Sequence, residues 1–234
     1  MIDIVYPISL NCDIDNHWEL RMSLRSVEKY FDVCRIFVVG HKPDWLINAV
    51  HVDVQDSYLR NPDANIIQKV VAACGRDVSD EFIRMSDDQY LLRPVDYRTM
   101  PTVSTNNHNP TSRGAWHRRM KNTLNHLEKR GLSTINYESH CPQKINRLKY
   151  IETMMSFSYG EDIGMCGNTL YYNSVSNTSV PSNNLVHISP KTETLDSLLE
   201  ISKKMTYINI NCSLNNAHKA FLSMMFPDKS CFER

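Results

Sequence analysis

Residues 84–92 read RMSDDQYLL, with Asp87 and Asp88 side by side between two apolar runs, 82–85 and 90–92. Adjacent carboxylates repel, and burying either one is costly unless positive charge is supplied. At the end of a buried strand such a pair suits magnesium or manganese, hard ions that prefer oxygen ligands. A cation there would neutralise a diphosphate leaving group, as transfer from a nucleotide-activated donor requires. The competing reading is a solvated acidic turn, because short acidic motifs also occur by chance.

Other residues offer phosphate contacts or proton chemistry. Arg21 and Arg25 are four apart on an amphipathic stretch and project from one helix face. Their guanidinium forks suit phosphate, and pairing with Glu19 or Glu28 is the alternative. His140, in YESHCP (137–142), is followed by a proline turn and offers a base, a nucleophile or a metal ligand. His187, in LVHISPK (185–191) with Lys191 nearby, is its rival, although its apolar neighbours also suit a core histidine. Asn65 and Lys69, one helical turn apart, are candidates for donor contacts. The segment 113–130 carries Arg113, Arg118, Arg119, Lys121, Lys129 and Arg130 against Glu128 alone. A cationic lid over a diphosphate needs that charge. So does contact with nucleic acid phosphates, with Trp116 to stack on a base. A solvated basic helix needs nothing further.

These residues must be positioned by alternating strands and helices. The run 2–8 is a β-branched strand, and 19–31 is a helix with Leu20, Leu24, Val27 and Phe31 on one face. Strands follow at 35–40 and 50–54, then a helix at 64–75 that ends on Gly75. The apolar run 82–85 delivers the two aspartates. Such repetition predicts a mainly parallel sheet covered by helices, with ligands beyond the strands' carboxyl ends. Residues 101–136 depart from this pattern as an inserted polar and basic segment. Beyond them the pattern predicts a helix at 144–157, a strand at 169–173, a polar loop at 174–184 and a strand at 185–188. A helix at 194–204, a strand at 206–210 and a helix at 214–226 complete it.

The chain has 234 residues, zero formal charge, 41% apolar and 22% charged residues. Any attraction for nucleic acid must therefore be local, not global. The seven cysteines are scattered, with no C-x-x-C pair, which fits reduced thiols and not a disulfide framework or zinc site. No run is long enough to span a bilayer, and the first residues read as a strand. The expectation is a soluble, cytoplasmic protein.

IDIVY (2–6), ELRMSLRSVEKY (19–30), RIFVVGHKPDWL (35–46), EFIRMSDDQYLLRPV (81–95), SHCP (139–142) and FPDKSCFE (226–233) occur in this order. The series resembles the Stealth family of sugar-1-phosphate transferases, which includes bacterial capsule polymerases. The resemblance implies a nucleotide-sugar donor, a divalent metal and a GT-A-like core. It carries Asp87 and Asp88 onto the acidic metal motif, Arg21 and Arg25 onto an arginine-bearing helix, and His140 onto a histidine-proline block. Two departures stand out. Tyr6 is followed by Pro7 and Ile8 where the family continues with an aromatic and acidic run. INC (210–212) replaces an Ile-Asn-Asp motif, so Asn211 is kept while Cys212 takes the place of the acid.

The sequence thus predicts an α/β protein, a mainly parallel sheet with flanking helices and a GT-A-like core. One catalytic domain is expected over 1–234. The expected activity is metal-dependent transfer of a sugar or sugar-1-phosphate from a nucleotide-sugar to a hydroxyl. Asp87, Asp88 and Asn211 are the expected ligands of Mn2+ or Mg2+. His140, Asp88 and Arg25 are the catalytic candidates, and Arg21, Arg25, Asn65, Lys69, Arg118 and Arg119 the donor-binding ones. A saccharide is the expected acceptor, with a hydroxylated DNA base as the alternative. A non-catalytic carbohydrate- or nucleic-acid-binding protein is the rival from another class.

Overall fold

The computed structural model describes residues 1–9, 16–106, 113–175, 178–210 and 214–234. Its centre is a five-stranded sheet of β1 (Ile2–Ile8), β2 (Val33–Gly40), β3 (Val50–Val52), β4 (Glu81–Arg84) and β7 (Gln143–Asn146), in the order β3-β2-β1-β4-β7. The first four run parallel, and β7 lies antiparallel against β4. Five of the seven residues of β1 are hydrophobic and fully covered, as a central strand with helices on both faces requires.

On one face α1 (Trp18–Tyr30) buries Leu20, Leu24 and Val27 against Ile4, Tyr6 and Val38. On the other, α2 (Pro62–Cys74) buries Ile67, Val70 and Ala73 against Val5, Phe37 and Phe82. Asn61 caps α2, accepting a hydrogen bond from the Ala64 N–H at 3.1 Å, and Pro62 fills a position that has no N–H to satisfy. The strand order reverses between β1 and β4, which opens a crevice outside their carboxyl ends.

A smaller sheet holds β5 (Gln89–Leu91), β10 (Tyr207–Asn209) and β9 (Val186–Ile188), with β5 antiparallel and β9 parallel to β10. The helices α6 (Leu195–Ser202) and α7 (Asn216–Met225) pack on it through Leu198, Phe221 and Leu222. Asp87 and Asp88 occupy the short link from β4 in one sheet to β5 in the other. Within the 101–136 segment lie β6 (Val103–Ser104), paired with β8 (Val180–Pro181), and the helix α3 (Ala115–Lys129).

Two expected elements differ. Residues 169–173 are not a strand but the middle of α5 (Gly167–Val175). Every residue from Asn168 to Asn173 is buried, so the segment has no alternation to lay on a sheet, and tertiary contacts override its aromatic, β-favouring composition. Asn173 Nδ2 donates both to the Thr169 carbonyl at 2.8 Å and to that of Ile135 at 2.7 Å. Residues 144–157 begin as the edge strand β7 and become α4 (Arg147–Met155) only where Asn146 caps it, accepting from the Lys149 N–H.

Among the described residues no helix is long and apolar enough to cross a membrane. Cys74, Cys141, Cys166 and Cys231 are free thiols, the first three buried.

Candidate active site

The crevice at the strand-order reversal holds a cleft of about 270 Å³. Pro7 and Ser9 come from the end of β1, Asn65 and Lys69 from α2, and Asp87 and Asp88 from the link after β4. A second cavity of about 290 Å³ adjoins it at the ends of β2 and β3, between Gly40, His41, His51 and Asp53. Asp56 and Lys69 line both, so the two form one continuous trough.

Lys69 is only 2% exposed, and its Nζ donates to Asp56 Oδ1 at 2.5 Å. Ser9 Oγ donates to the other oxygen of Asp56 at 2.6 Å. Burial opposes ionisation of Asp56, but these two hydrogen bonds hold its pKa below the ordinary carboxylate value. The stem of Lys69 passes over Gly40, which sits at φ +104. A Cβ there would lie 2.2 Å from the Ile8 carbonyl oxygen and 2.6 Å from Lys69 Cε, so only glycine leaves this path open.

The acidic end is built differently. The main-chain carbonyl of Asp88 accepts from Asn209 Nδ2 at 3.2 Å and from the Ile210 N–H at 3.0 Å, fixing the link against β10. Asp88 Oδ1 and Asn209 Oδ1 are buried and have no hydrogen-bond partner among the described residues. Burial pushes the Asp88 pKa up, and Asn209, His140 and Arg84 pull against it. Glu19, in the first turn of α1, completes the acidic end. Burial and then the charges of Asp87 and Asp88 raise it to about 8. His140 stands near Asp88 in a left-handed conformation, φ 55, which a histidine adopts only at local cost. Burial lowers its pKa; the Asp88 charge opposes that shift and Arg84 reinforces it.

The residues expected from sequence divide into those at the trough and those elsewhere. Asp87, Asp88, Asn65 and Lys69 line it, and His140 is near Asp88 but is not among the lining residues. Arg21 and Arg25, expected to contact phosphate, are engaged by Glu233. Arg25 Nε and Nη2 donate to the two oxygens of Glu233 at 2.7 and 2.8 Å, and Arg21 Nη1 adds a bond at 3.3 Å. The arginine face that resembled an anion site is filled by the chain's own carboxylate. Arg119 is paired with Asp63 in the first turn of α2, docking α3 on that helix, and Arg118 donates to the Arg113 carbonyl. Neither is directed at the trough. His187 pairs with Glu193 at 2.8 Å. Asn211 lies outside the described residues.

Asp56 lines the trough, and Glu19, Arg84 and Asn209 act on Asp87 or Asp88 from behind it; none of the four was singled out from sequence. A signal existed for Asn209: a polar side chain inside the apolar strand pattern TYINI must find a partner or a ligand. Among the described residues no group of three or more histidine, cysteine or acidic side chains has the geometry of a complete metal site.

No family model matches this sequence, and no curated protein matches it. Solved structures do resemble the fold. The crystal structure of the galactosyltransferase LgtC in complex with donor and acceptor sugar analogues aligns with a TM-score of 0.55 at 11% identity, covering 98% of this chain and 96% of that one. An active-site mutant of LgtC aligns with a TM-score of 0.49 at 12% identity, covering 96% and 95%. The likeness is one of fold: this chain has a GT-A-like α/β architecture with a mainly parallel central sheet.

Proposed function

We propose that this protein is a glycosyltransferase that takes a sugar from a nucleotide-sugar donor at the β1/β4 trough and passes it to a hydroxyl acceptor. The observation that carries this reading is a buried oxygen of Asp88, at the strand-end crevice that buried Lys69 also lines, and one of its neighbour Asn209, both without a hydrogen-bond partner among the described residues. Orphaned anionic and amide oxygens are costly in isolation and are what a hard divalent cation takes as ligands. Two or three protein oxygens, with the rest of the shell from a diphosphate and water, is a common arrangement for magnesium and manganese. The residues therefore fit such an ion, with Asp88 and Asn209 holding it and Asp87 beside them. The ion would supply charge neutralisation of the departing diphosphate.

The chain's own residues do the remainder. The 290 Å³ cavity receives the nucleoside, with the diphosphate running past Lys69 toward Asp88. Lys69 gives it positive charge, and Asp56 and Ser9 hold the ammonium in place. His140 keeps a neutral imidazole near neutral pH and accepts the proton of the attacking hydroxyl.

The sequence resemblance to the Stealth transferases motivates a second reading, in which the acceptor attacks phosphorus and the sugar travels with its phosphate. The fold likeness to a galactosyltransferase favours attack at the sugar carbon. Calorimetry with uridine- and guanosine-diphosphate sugars, with and without manganese, tests the donor step. Manganese-dependent binding in the wild type that vanishes in Asp88→Asn supports it. Absence of donor binding under either condition removes it and leaves a non-catalytic binding protein.

A further inference from the structure

His140 keeps a left-handed backbone, φ 55, and a residue so placed persists only where its surroundings over-determine it. The turn that carries it, 137–142, is lashed to the first turn of α5. The Tyr137 N–H donates to Thr169 Oγ1 at 3.1 Å. Glu138, two residues before His140, spans the same junction with its side chain. Its Oε1 accepts from the Thr169 N–H at 3.0 Å, and its Oε2 accepts from Asn168 Nδ2 at 3.1 Å. The first N–H groups of a helix have no partner within it, and a carboxylate there also meets the positive end of the helix dipole.

The tie continues into the central sheet. Asn168 Oδ1 accepts from Arg84 Nη1 at 3.1 Å, and Arg84 is the last residue of β4, where the link to Asp87 and Asp88 begins. One amide thus joins the turn of His140 to the strand that delivers the aspartates. On the β7 side, Gln143 Nε2 donates to Ser139 Oγ at 2.8 Å and to the Tyr137 carbonyl at 3.3 Å, which closes the turn upon itself. Capping a helix needs only a short polar side chain beside its first residue. A glutamate reaching in from a distant turn does more than that, because it fixes the turn as well as the helix.

We propose that Glu138 is a positioning residue, which holds His140 in its left-handed conformation near Asp88 by tying the 137–142 turn to α5 and, through Asn168, to Arg84 of β4. The purpose of that placement rests on the transferase reading, in which His140 takes the proton of the attacking hydroxyl. A base must stand at a fixed distance from the reacting centre, and a loop residue is fixed only by what its neighbours grip. Glu138 supplies the grip without touching substrate. Its reach decides the role: the carboxylate must span from the turn to the Thr169 N–H, whatever its charge.

The test is the NOE between the N–H and Hα of His140 in isotope-labelled, ligand-free, full-length protein, since a positive φ brings these two protons close. Glu138→Gln keeps the reach to Thr169, and Glu138→Ala removes it. Glu138→Asp keeps the charge but is one methylene short, and it decides the matter if Glu138→Ala does not fold. The expected result is a strong NOE in the wild type and in Glu138→Gln, lost to the weak level of an ordinary negative φ in Glu138→Ala and Glu138→Asp. A Glu138→Ala protein that loses stability in urea yet keeps the strong NOE would show a helix cap and nothing more, and overturns the proposal. Loss of the NOE in Glu138→Gln, or its absence from the wild type, overturns it too. Nucleotide-sugar calorimetry with manganese on the wild type judges the transferase reading separately, because the NOE is measured without any donor.

Discussion

Two clusters of charge share helix α1, and they are built on opposite terms. On one side Glu233 accepts from Arg25 twice, from Arg21, and from both the N–H and the hydroxyl of Ser230 at 3.0 and 3.1 Å. Burial works against its ionisation, yet these bonds hold it at about 2. On the other side Glu19 faces Asp87 and Asp88 and is driven up to about 8. The first cluster answers its charge within the chain. The second leaves carboxylates crowded and, among the described residues, an oxygen of Asp88 and one of Asn209 unpartnered. A cluster whose charge is answered within the chain gains little from a ligand, whereas one left crowded gains more from a cation or substrate that finishes it.

The sharpest way to break the contrast is Asp88→Asn. If the acidic end exists for a cation, transfer activity falls about 10²–10³-fold. Urea unfolding should show equal or higher stability, because one crowded charge is gone. A parallel fall of activity and stability would put Asp88 in the same class as Glu233. The mirror experiment is Glu233→Gln, which leaves Arg21 and Arg25 partly buried without their anion. Stability should drop by about 3 kcal/mol, the usual result of removing one partner of a buried ion pair. Manganese-dependent donor binding should be retained.

The same contrast explains what was legible in the sequence. Strand and helix periodicity located β1, α1, β2, α2 and β4, and the strand-end rule brought Asp87 and Asp88 to the crevice. Asn65 and Lys69 followed from one helical turn of spacing. The partner of Arg21 and Arg25 was not legible because an arginine pair at i and i+4 has the same pattern whether it meets a phosphate or Glu233, more than 200 residues away. Glu19 was read only as a local partner for arginine, since its proximity to Asp87 depends on how α1 crosses the β4–β5 link. α5 was mistaken for a strand because its burial on all sides is a tertiary fact. Local spacing reports which residues share a face, and long-range pairing decides what that face meets.

Acidity separates the two clusters by the direction of their pH dependence. Glu233 titrates at about 2 in the folded chain and near 4.5 ordinarily. Its stabilisation is complete above pH 4.5 and is lost as pH falls toward 2. Glu19 runs the other way, from an ordinary 4.5 to about 8. It costs nothing below pH 4.5, and stability is lost as pH rises toward 8. These shifts correspond to about 3 kcal/mol for the acid limb and about 5 kcal/mol for the alkaline one as upper bounds. Urea midpoints measured across this range should lose their acid limb in Glu233→Gln and their alkaline limb in Glu19→Gln. A Glu19→Gln protein that keeps its alkaline limb would show that Glu19 is not the strained member.

The smallest effect tests whether the satisfied cluster is graded as its geometry implies. Arg25 grips both oxygens of Glu233 and also donates to the Phe226 carbonyl at 3.1 Å. Arg21 makes one longer bond and lies over the Trp45 ring, its guanidinium carbon 4.0 Å from the centroid. Its ion-pair contribution is therefore partial, while much of its contact is with an aromatic face. Arg21→Met keeps an unbranched stem over Trp45 and should cost about 1 kcal/mol, whereas Arg25→Met strands the carboxylate and should cost clearly more. Neither should alter donor affinity. If Arg21→Met weakened nucleotide-sugar binding while Arg25→Met did not, the helix face that Glu233 occupies would have to be shared with phosphate.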